Sequence, residues 1–431
     1  MQAVSDMARD AGARLGGRRA WAMWGLAAAA YLVAFFHRMA LGVAGLEATE
    51  RLSIPEGALA SLAALQLFIY LAMQIPAGLA ADRLGPRRTL AIGLAIMAVG
   101  EALFAVSTSL APALAGRALV GLGDALTFLN VLRIGHAWFP EHRQGLLAAL
   151  TGVVGAVGQL VATIPLHLAL DGVGWTPTFL AVAFLTGALV AMPLLLLHDR
   201  PPGRPAPRGD DHAPIGRTLR DAWARPATRH GFFLHLGAMG PFAIVGAVWG
   251  VPYMVASQGM SRATASTLLL GIVVALAVTG PIVGALVGGD ARRRRASVLV
   301  PAVPAIGWGL LVLWPTPDVP DALLLAVLVA TGAAAGGSMI AFEIARREAP
   351  AVSAGSATAL VNCGGFSAAV LGAVVVGLLL GGDPSPATAQ HAMAPVALIA
   401  AIGTAGCVIH ARRGATRRRD PEAAIAASGS S

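Results

Sequence analysis

The chain alternates between long apolar stretches and short polar ones. Apolar runs occupy 21–46, 57–81, 89–108, 111–137, 146–168, 176–197, 231–254, 264–288, 297–314, 321–345, 353–381 and 391–411, each closed by Gly, Pro or charge. At 1.5 Å per residue, ~20 helical residues cross ~30 Å of hydrocarbon, so the pattern predicts twelve transmembrane helices. A backbone inside a bilayer must satisfy its own hydrogen bonds, and the expected fold is therefore all-α. The first run follows a basic stretch, as a signal peptide would. It continues to Leu46 with no convincing cleavage site and is read as the first span.

The polar segments orient and divide these spans. With the N-terminus in the cytoplasm, the inner segments hold Arg83, Arg87, Arg88, Arg143, the seven arginines from Arg200 to Arg229, Arg292 to Arg295, Arg346, Arg347 and the arginines of both tails. The outer segments hold only Arg51 and Arg262. The positive-inside rule then places both termini on the cytoplasmic side of a cell inner (plasma) membrane. The longest polar segment, 198–230, is rich in Pro, Arg and Asp and reads as a cytoplasmic linker without a fold of its own. It separates an N-terminal six-helix bundle, 21–197, from a C-terminal one, 231–411, with tails at 1–20 and 412–431. A six-plus-six layout suggests two bundles rocking about a shared midplane site.

Composition narrows the function. Charged residues make up 12% of the chain, against about 25% in soluble domains, which argues against a water-soluble enzyme. All 31 basic residues are arginine, most simply a codon bias toward GC-rich DNA. The net charge of +9 sits in short inter-helix segments, so no nucleic-acid partner is expected. Cys363 and Cys407 lie inside apolar runs and behave as small hydrophobes. Neither a metal site nor a cofactor is expected, and no nucleophile elbow or phosphate loop lies at a useful depth. The expected partners are the lipid bilayer, a small-molecule solute and protons, and the expected state is a monomer.

Ionisable residues within a span are costly and are functional candidates by default. Arg38 lies outward of the centre of span one, Glu101 outward of the middle of span three, and Asp124 near the centre of span four. Arg117 and Asp124, seven residues apart, fall nearly on one helical face. Thr127, Asn130, Arg133 and His136 continue a polar stripe that cannot face lipid. Gln66, Tyr70 and Gln74 form a ridge on span two, and Gln159 and Asn362 are uncharged cavity candidates. Each of these serves either substrate contact or interhelical hydrogen bonding. Trp249 and Tyr253 suit an interface anchor, with stacking on a ligand as the alternative, and Glu343 suits a rim ion pair with Arg346 and Arg347. His235 and His167 are given no role. Counting Arg38, Arg117 and Arg133 against Glu101 and Asp124, the N-terminal half carries surplus buried positive charge, which an anion would relieve.

Several motifs resemble the major facilitator superfamily. After the second span comes Gly78-Leu-Ala-Ala-Asp82-Arg83-Leu-Gly85-Pro-Arg87-Arg88, similar to that family's loop between helices two and three. Pro86 displaces the basic pair by one position. A degenerate copy follows span eight, from Gly284 to Asp290 with Arg292 to Arg295, where a duplicated half would carry it. Gly116-Arg117-Ala-Leu-Val-Gly121 is similar to the family's fourth-helix motif.

The resemblance implies a conformational latch at Gly78, Asp82, Arg83, Gly85, Arg87 and Arg88, with Asp82 pairing to arginines of its own loop. For Arg292 to Arg295 orientation alone is explanation enough. The resemblance also implies proton coupling through Arg117, with Glu101 or Asp124 as acceptor. His37-Arg38 resembles the first-helix arginine of organic-anion branches, which makes Arg38 a candidate anion ligand; the alternative is snorkelling to the interface. With Gln66, Tyr70, Asn130, Gln159 and Asn362, it completes the expected substrate site.

The expected function is proton-coupled symport of a small organic anion by alternating access. Alternatives are a proton-coupled drug or metabolite efflux antiporter and a non-transporting sensor. Efflux branches carry a proline among the fifth-helix glycines, and Gly152, Gly155 and Gly158 stand here without it.

Overall fold

The computed structural model describes residues 15–54, 56–203, 215–287, 289–347, 349, 354–380 and 385–419. Parts of the expected tails and linker, at 1–14, 204–214 and 420–431, lie outside the described residues. The chain divides into two compact units, Met1–Asp211 and His212–Ser431. Among the described residues nine helices are long and apolar enough to cross a membrane, and a bent pair makes ten. That pair, Ala64–Ala72 and Gln74–Leu84, meets at 47° and forms span two. Helix Gln144–Val173 fills the place of span five. Span seven begins as Pro226–Ile244 and continues through a π-helical turn, Val245–Trp249, to Gly250–Gln258.

In the N-terminal unit, close packing begins with glycine. Spans three (Pro86–Val106) and four (Leu110–Trp138) run antiparallel, with Gly100 against Gly116 and Gly93 against Gly123. A Cβ on Gly100 would stand 2.7 Å from the Gly116 carbonyl oxygen, so no side chain fits there. Gly85, at φ +79°, makes the reversal between spans two and three, and Pro86 opens the next helix with φ already helical. Span four is broken between Leu110–Ala125 and Phe128–Trp138. Thr127 Oγ1 donates to the Asp124 carbonyl (2.7 Å), and Asn130 Nδ2 donates to the Leu126 carbonyl (2.8 Å), mending the break from within. In span five, Gly155 and Gly158 admit Phe35 and the Leu32 backbone of span one, which accounts for two of its three spaced glycines by close packing.

The C-terminal unit repeats this skeleton with different contents. Span ten is also broken, between Asp321–Gly337 and Ile340–Arg347. Gly121 of span four presses on the Gln66 carbonyl of span two, and Gly332 of span ten presses on the Ile272 carbonyl of span eight. Gly121 lies four residues before Ala125 and Gly332 five before Gly337, the last residues of their first helical segments. Where span two offers Gln66 at that crossing, span eight offers isoleucine. The core of the unit is apolar, built around Trp308, Tyr253, Leu311 and Ile272.

Three expectations need correction. The stretch read as an unstructured linker contains a helix, Ile215–Ala224, anchored by fully buried Ala222 and by Trp223 packed edge-on against Phe232 at 5.1 Å. Its apolar residues recur at helical spacing, which the richness in Arg and Asp masked. Tyr253 is buried against Trp308, so it is a core residue and not an interface anchor. Trp249, partly buried, donates from Nε1 to the Ala373 carbonyl at 2.8 Å, joining two helices.

Candidate functional site

Two ionic clusters lie at membrane depth in the N-terminal unit. The first joins spans one and four. Arg38 Nε and Nη2 donate to Asp124 Oδ2 and Oδ1, both at 2.9 Å, a bidentate geometry that fixes orientation as well as charge. The guanidinium lies between the rings of Phe35 and Tyr70, 4.9 and 4.4 Å from their centroids. Those contacts favour the cation in a setting where water cannot solvate it. Asp124 has no exposed surface, and the Arg38 side chain keeps 7%. Tyr70, on the first limb of span two, lies over Arg38, while Gln74 Nε2 donates to the Tyr70 carbonyl at 3.0 Å.

The second cluster involves five elements of the same unit. Arg117 of span four is wholly buried; its Nη1 stands 3.5 Å from Glu101 Oε2 of span three. Its Nη2 donates to the His37 carbonyl of span one at 2.7 Å and to Gln66 Oε1 of span two. The Phe104 ring lies 5.0 Å from the guanidinium. His37 completes the cluster: Nδ1 is 3.2 Å from Glu101 Oε2, and Nε2 is 2.9 Å from Thr186 Oγ1 of span six. All five polar residues are at most 2% exposed.

The pairing differs from the one that sequence spacing favours. Arg117 and Asp124 share a helical face, yet each takes its partner from another helix. Depth can be read from a sequence, but the azimuth of a neighbouring helix cannot. The surplus of buried positive charge also disappears, because Arg133 pairs with Asp82. Three arginines are therefore matched by Asp82, Glu101 and Asp124.

Asp82 reaches across to Arg133 of span four, a partner outside its own loop. The loop's other anchor is Asp199: the Arg87 backbone N–H donates to its Oδ1 at 2.7 Å, and Arg87 Nη2 donates to the Leu194 carbonyl. Arg83 and Arg88 are exposed, and Gly78 is buried. Arg293, expected to serve orientation alone, pairs with Glu343 at 2.9 Å, and Arg347 joins the same carboxylate at 3.1 Å. Relative to Asp82 and Arg133, the signs are exchanged between loop and helix.

Among the expected uncharged ligands, Gln66 is committed to Arg117, and Asn130 is fully buried with its amide on its own helix. Gln159 is half-buried on span five. Asn362 is buried in the C-terminal unit beside His235, whose Nδ1 is 3.2 Å from Ser338 Oγ. His37 and His235 escaped sequence reasoning, because a histidine in an apolar run resembles any satisfied core histidine. A signal was available for His37 in its position beside Arg38.

The model of the Major Facilitator Superfamily matches residues 26–373. A probable sulfoacetate transporter of Cupriavidus necator is 22% identical over 171 residues, 40% of this chain and 40% of that protein. A quinolone resistance transporter of Acinetobacter baumannii is 29% identical over 177 residues, 38% of this chain and 39% of that protein. An uncharacterized MFS-type transporter of Mycobacterium tuberculosis is 29% identical over 109 residues, 25% of this chain and 19% of that protein. The chain thus spans well under half the length of these relatives. The crystal structure of the E. coli fucose:proton symporter shares the fold, with a TM-score of 0.66 at 15% identity, over 89% of this chain and 97% of that one.

Proposed function

The chain belongs to the major facilitator superfamily of membrane transporters, and we propose that it carries a small organic anion together with protons by alternating access. The observation that carries this reading is the buried Arg38–Asp124 pair. An arginine held bidentately by a carboxylate is already shaped for the carboxylate of a substrate. An anion that takes the place of Asp124 leaves that aspartate buried and unpaired, which is costly unless it binds a proton. Anion and proton then enter together, and the charge of the site is unchanged. The relative named for sulfoacetate, itself a small organic anion, supports the same reading.

The remaining residues take supporting parts. Tyr70 and Phe35 hold the guanidinium in place. Gln159 and Asn362 are the uncharged candidates for substrate contact. Glu101 and Arg117 are assigned to proton coupling. Gly78, Asp82, Arg83, Gly85, Arg87 and Arg88 form the cytoplasmic latch, with Asp82–Arg133 and Arg87–Asp199 as its contacts. Both termini are assigned to the cytoplasm of the inner membrane, and the transporter works as a monomer.

The test removes both charges together, so that neither is left stranded. Arg38→Met with Asp124→Asn is expected to fold and to lose proton-driven anion uptake in proteoliposomes. Uptake at the wild-type rate would remove the pair from the site. A second reading, proton-coupled efflux, is favoured by the similarity to the quinolone resistance transporter. It predicts that cationic drugs, not carboxylates, move against a proton gradient.

A further inference from the structure

The buried cluster behind Arg38 sets Thr186, His37 and Glu101 in a row. Thr186 Oγ1 lies 2.9 Å from His37 Nε2 and 2.8 Å from the Val182 carbonyl oxygen. A hydroxyl has one proton to donate, so it serves one of these acceptors at a time. When Thr186 donates to Nε2, the imidazole's own proton sits on Nδ1 and meets the Glu101 carboxylate, 3.2 Å away. When Thr186 turns to Val182, Nε2 must carry a proton and donate to the hydroxyl. Two bare lone pairs would then face each other at Nδ1 and Glu101 Oε2 unless a further proton lies between them. The two arrangements differ by one proton, held within the 3.2 Å between His37 Nδ1 and Glu101 Oε2.

We propose that His37 and Glu101 form a proton-binding site of the transport cycle, switched by rotation of the Thr186 hydroxyl. The inference rests on the proton-coupled reading above and deepens it by giving the protein a proton site separate from Asp124. The charged groups around His37 are Glu101 from span three, Arg117 and Asp124 from span four, and Arg38 beside it on span one. Gln66 from span two and Thr186 from span six are neutral. With the proton absent, Glu101 balances Arg117 and Asp124 balances Arg38. Loading a proton adds one positive charge to a sealed region beside Arg38, which strengthens the attraction for an anion there. Proton and anion therefore favour each other's binding even though they occupy different places. Arg117 serves as a positioning residue, gripping Glu101 and the His37 carbonyl at once.

The experiment uses the purified full chain without substrate, titrated with acid and followed by infrared difference spectroscopy. One imidazole should titrate together with a buried carboxyl group. That coupled signal should be lost in His37→Gln. In Thr186→Val, which keeps the shape and removes the hydroxyl, the midpoint should shift, and Thr186→Ser should restore it. A wild-type titration with no coupled imidazole overturns the proposal, as does Thr186→Val titrating like the wild type. Should His37→Gln fail to fold, the Thr186 pair of variants decides. Because no substrate is present, failure of anion transport contradicts the functional reading alone and leaves this result readable.

Discussion

At the break in span four the N-terminal half sets Asp124 near its first helix, against Arg38; at the break in span ten the C-terminal half sets Ser338 against His235. The backbone device is the same in both: a helix interrupted near the middle of the bilayer, with a polar side chain from the half's first helix beside it. Glycine crossings at Gly121 and Gly332 confirm that the helices correspond. The contents differ. One half holds two ionic clusters at depth, and the other, among its described residues, sets His235 with Ser338 and Asn362. A duplicated skeleton can thus confine charge to one half and leave the other free to contribute shape. Discontinuous helices are where transporters of several folds place their ion sites, and here the chemistry at the break, not the break itself, separates the halves.

The largest expected contrast lies at the breaks. Asp124→Ala strands a buried arginine and should cost ~3–5 kcal/mol, whereas Ser338→Ala removes a neutral hydrogen bond worth ~1 kcal/mol. Unfolding midpoints in detergent compare the two, and equal losses would break the distinction. The glycine crossings should behave alike: Gly121→Ala and Gly332→Ala each push a Cβ into a carbonyl and should each cost ~1–3 kcal/mol. A difference between them larger than the cost of either would undo the correspondence of the halves.

A smaller effect is expected at the helix ends, where Arg133→Ala breaks a partly buried pair and Arg293→Ala a buried one of exchanged sign whose carboxylate keeps Arg347. Each should cost ~1 kcal/mol. The double reversal Asp82→Arg with Arg133→Asp should recover most of that loss if the pair acts by charge alone, measured again by unfolding.

The spans, their order and the Asp82 loop can be read from the chain because hydrocarbon imposes a length, and charge stands out against it. For the same reason Arg38, Glu101, Arg117 and Asp124 are visible as candidates. Their partners are not visible. Arg117 and Asp124 lie seven residues apart on one helix, yet the bend in span two and the break in span four decide what each can reach. Arg133 lies 51 residues from Asp82, and no local pattern connects them. Counting Asp82 as a loop residue left a false surplus of positive charge. His37 stays hidden because its partner Thr186 lies 149 residues away, with a hydroxyl that looks like any other in an apolar helix.

The central claim, that anion and proton move together through the Arg38–Asp124 site, is tested most directly by uptake into proteoliposomes. A panel of labelled small carboxylates and cationic drugs would be supplied outside, with and without an inward proton gradient, while external pH is recorded. Carboxylate accumulation that collapses with the gradient and alkalinises the outer solution, and that is lost when Arg38→Met and Asp124→Asn are combined, is the predicted result. Cations exchanging against protons, with carboxylates left behind, would contradict it.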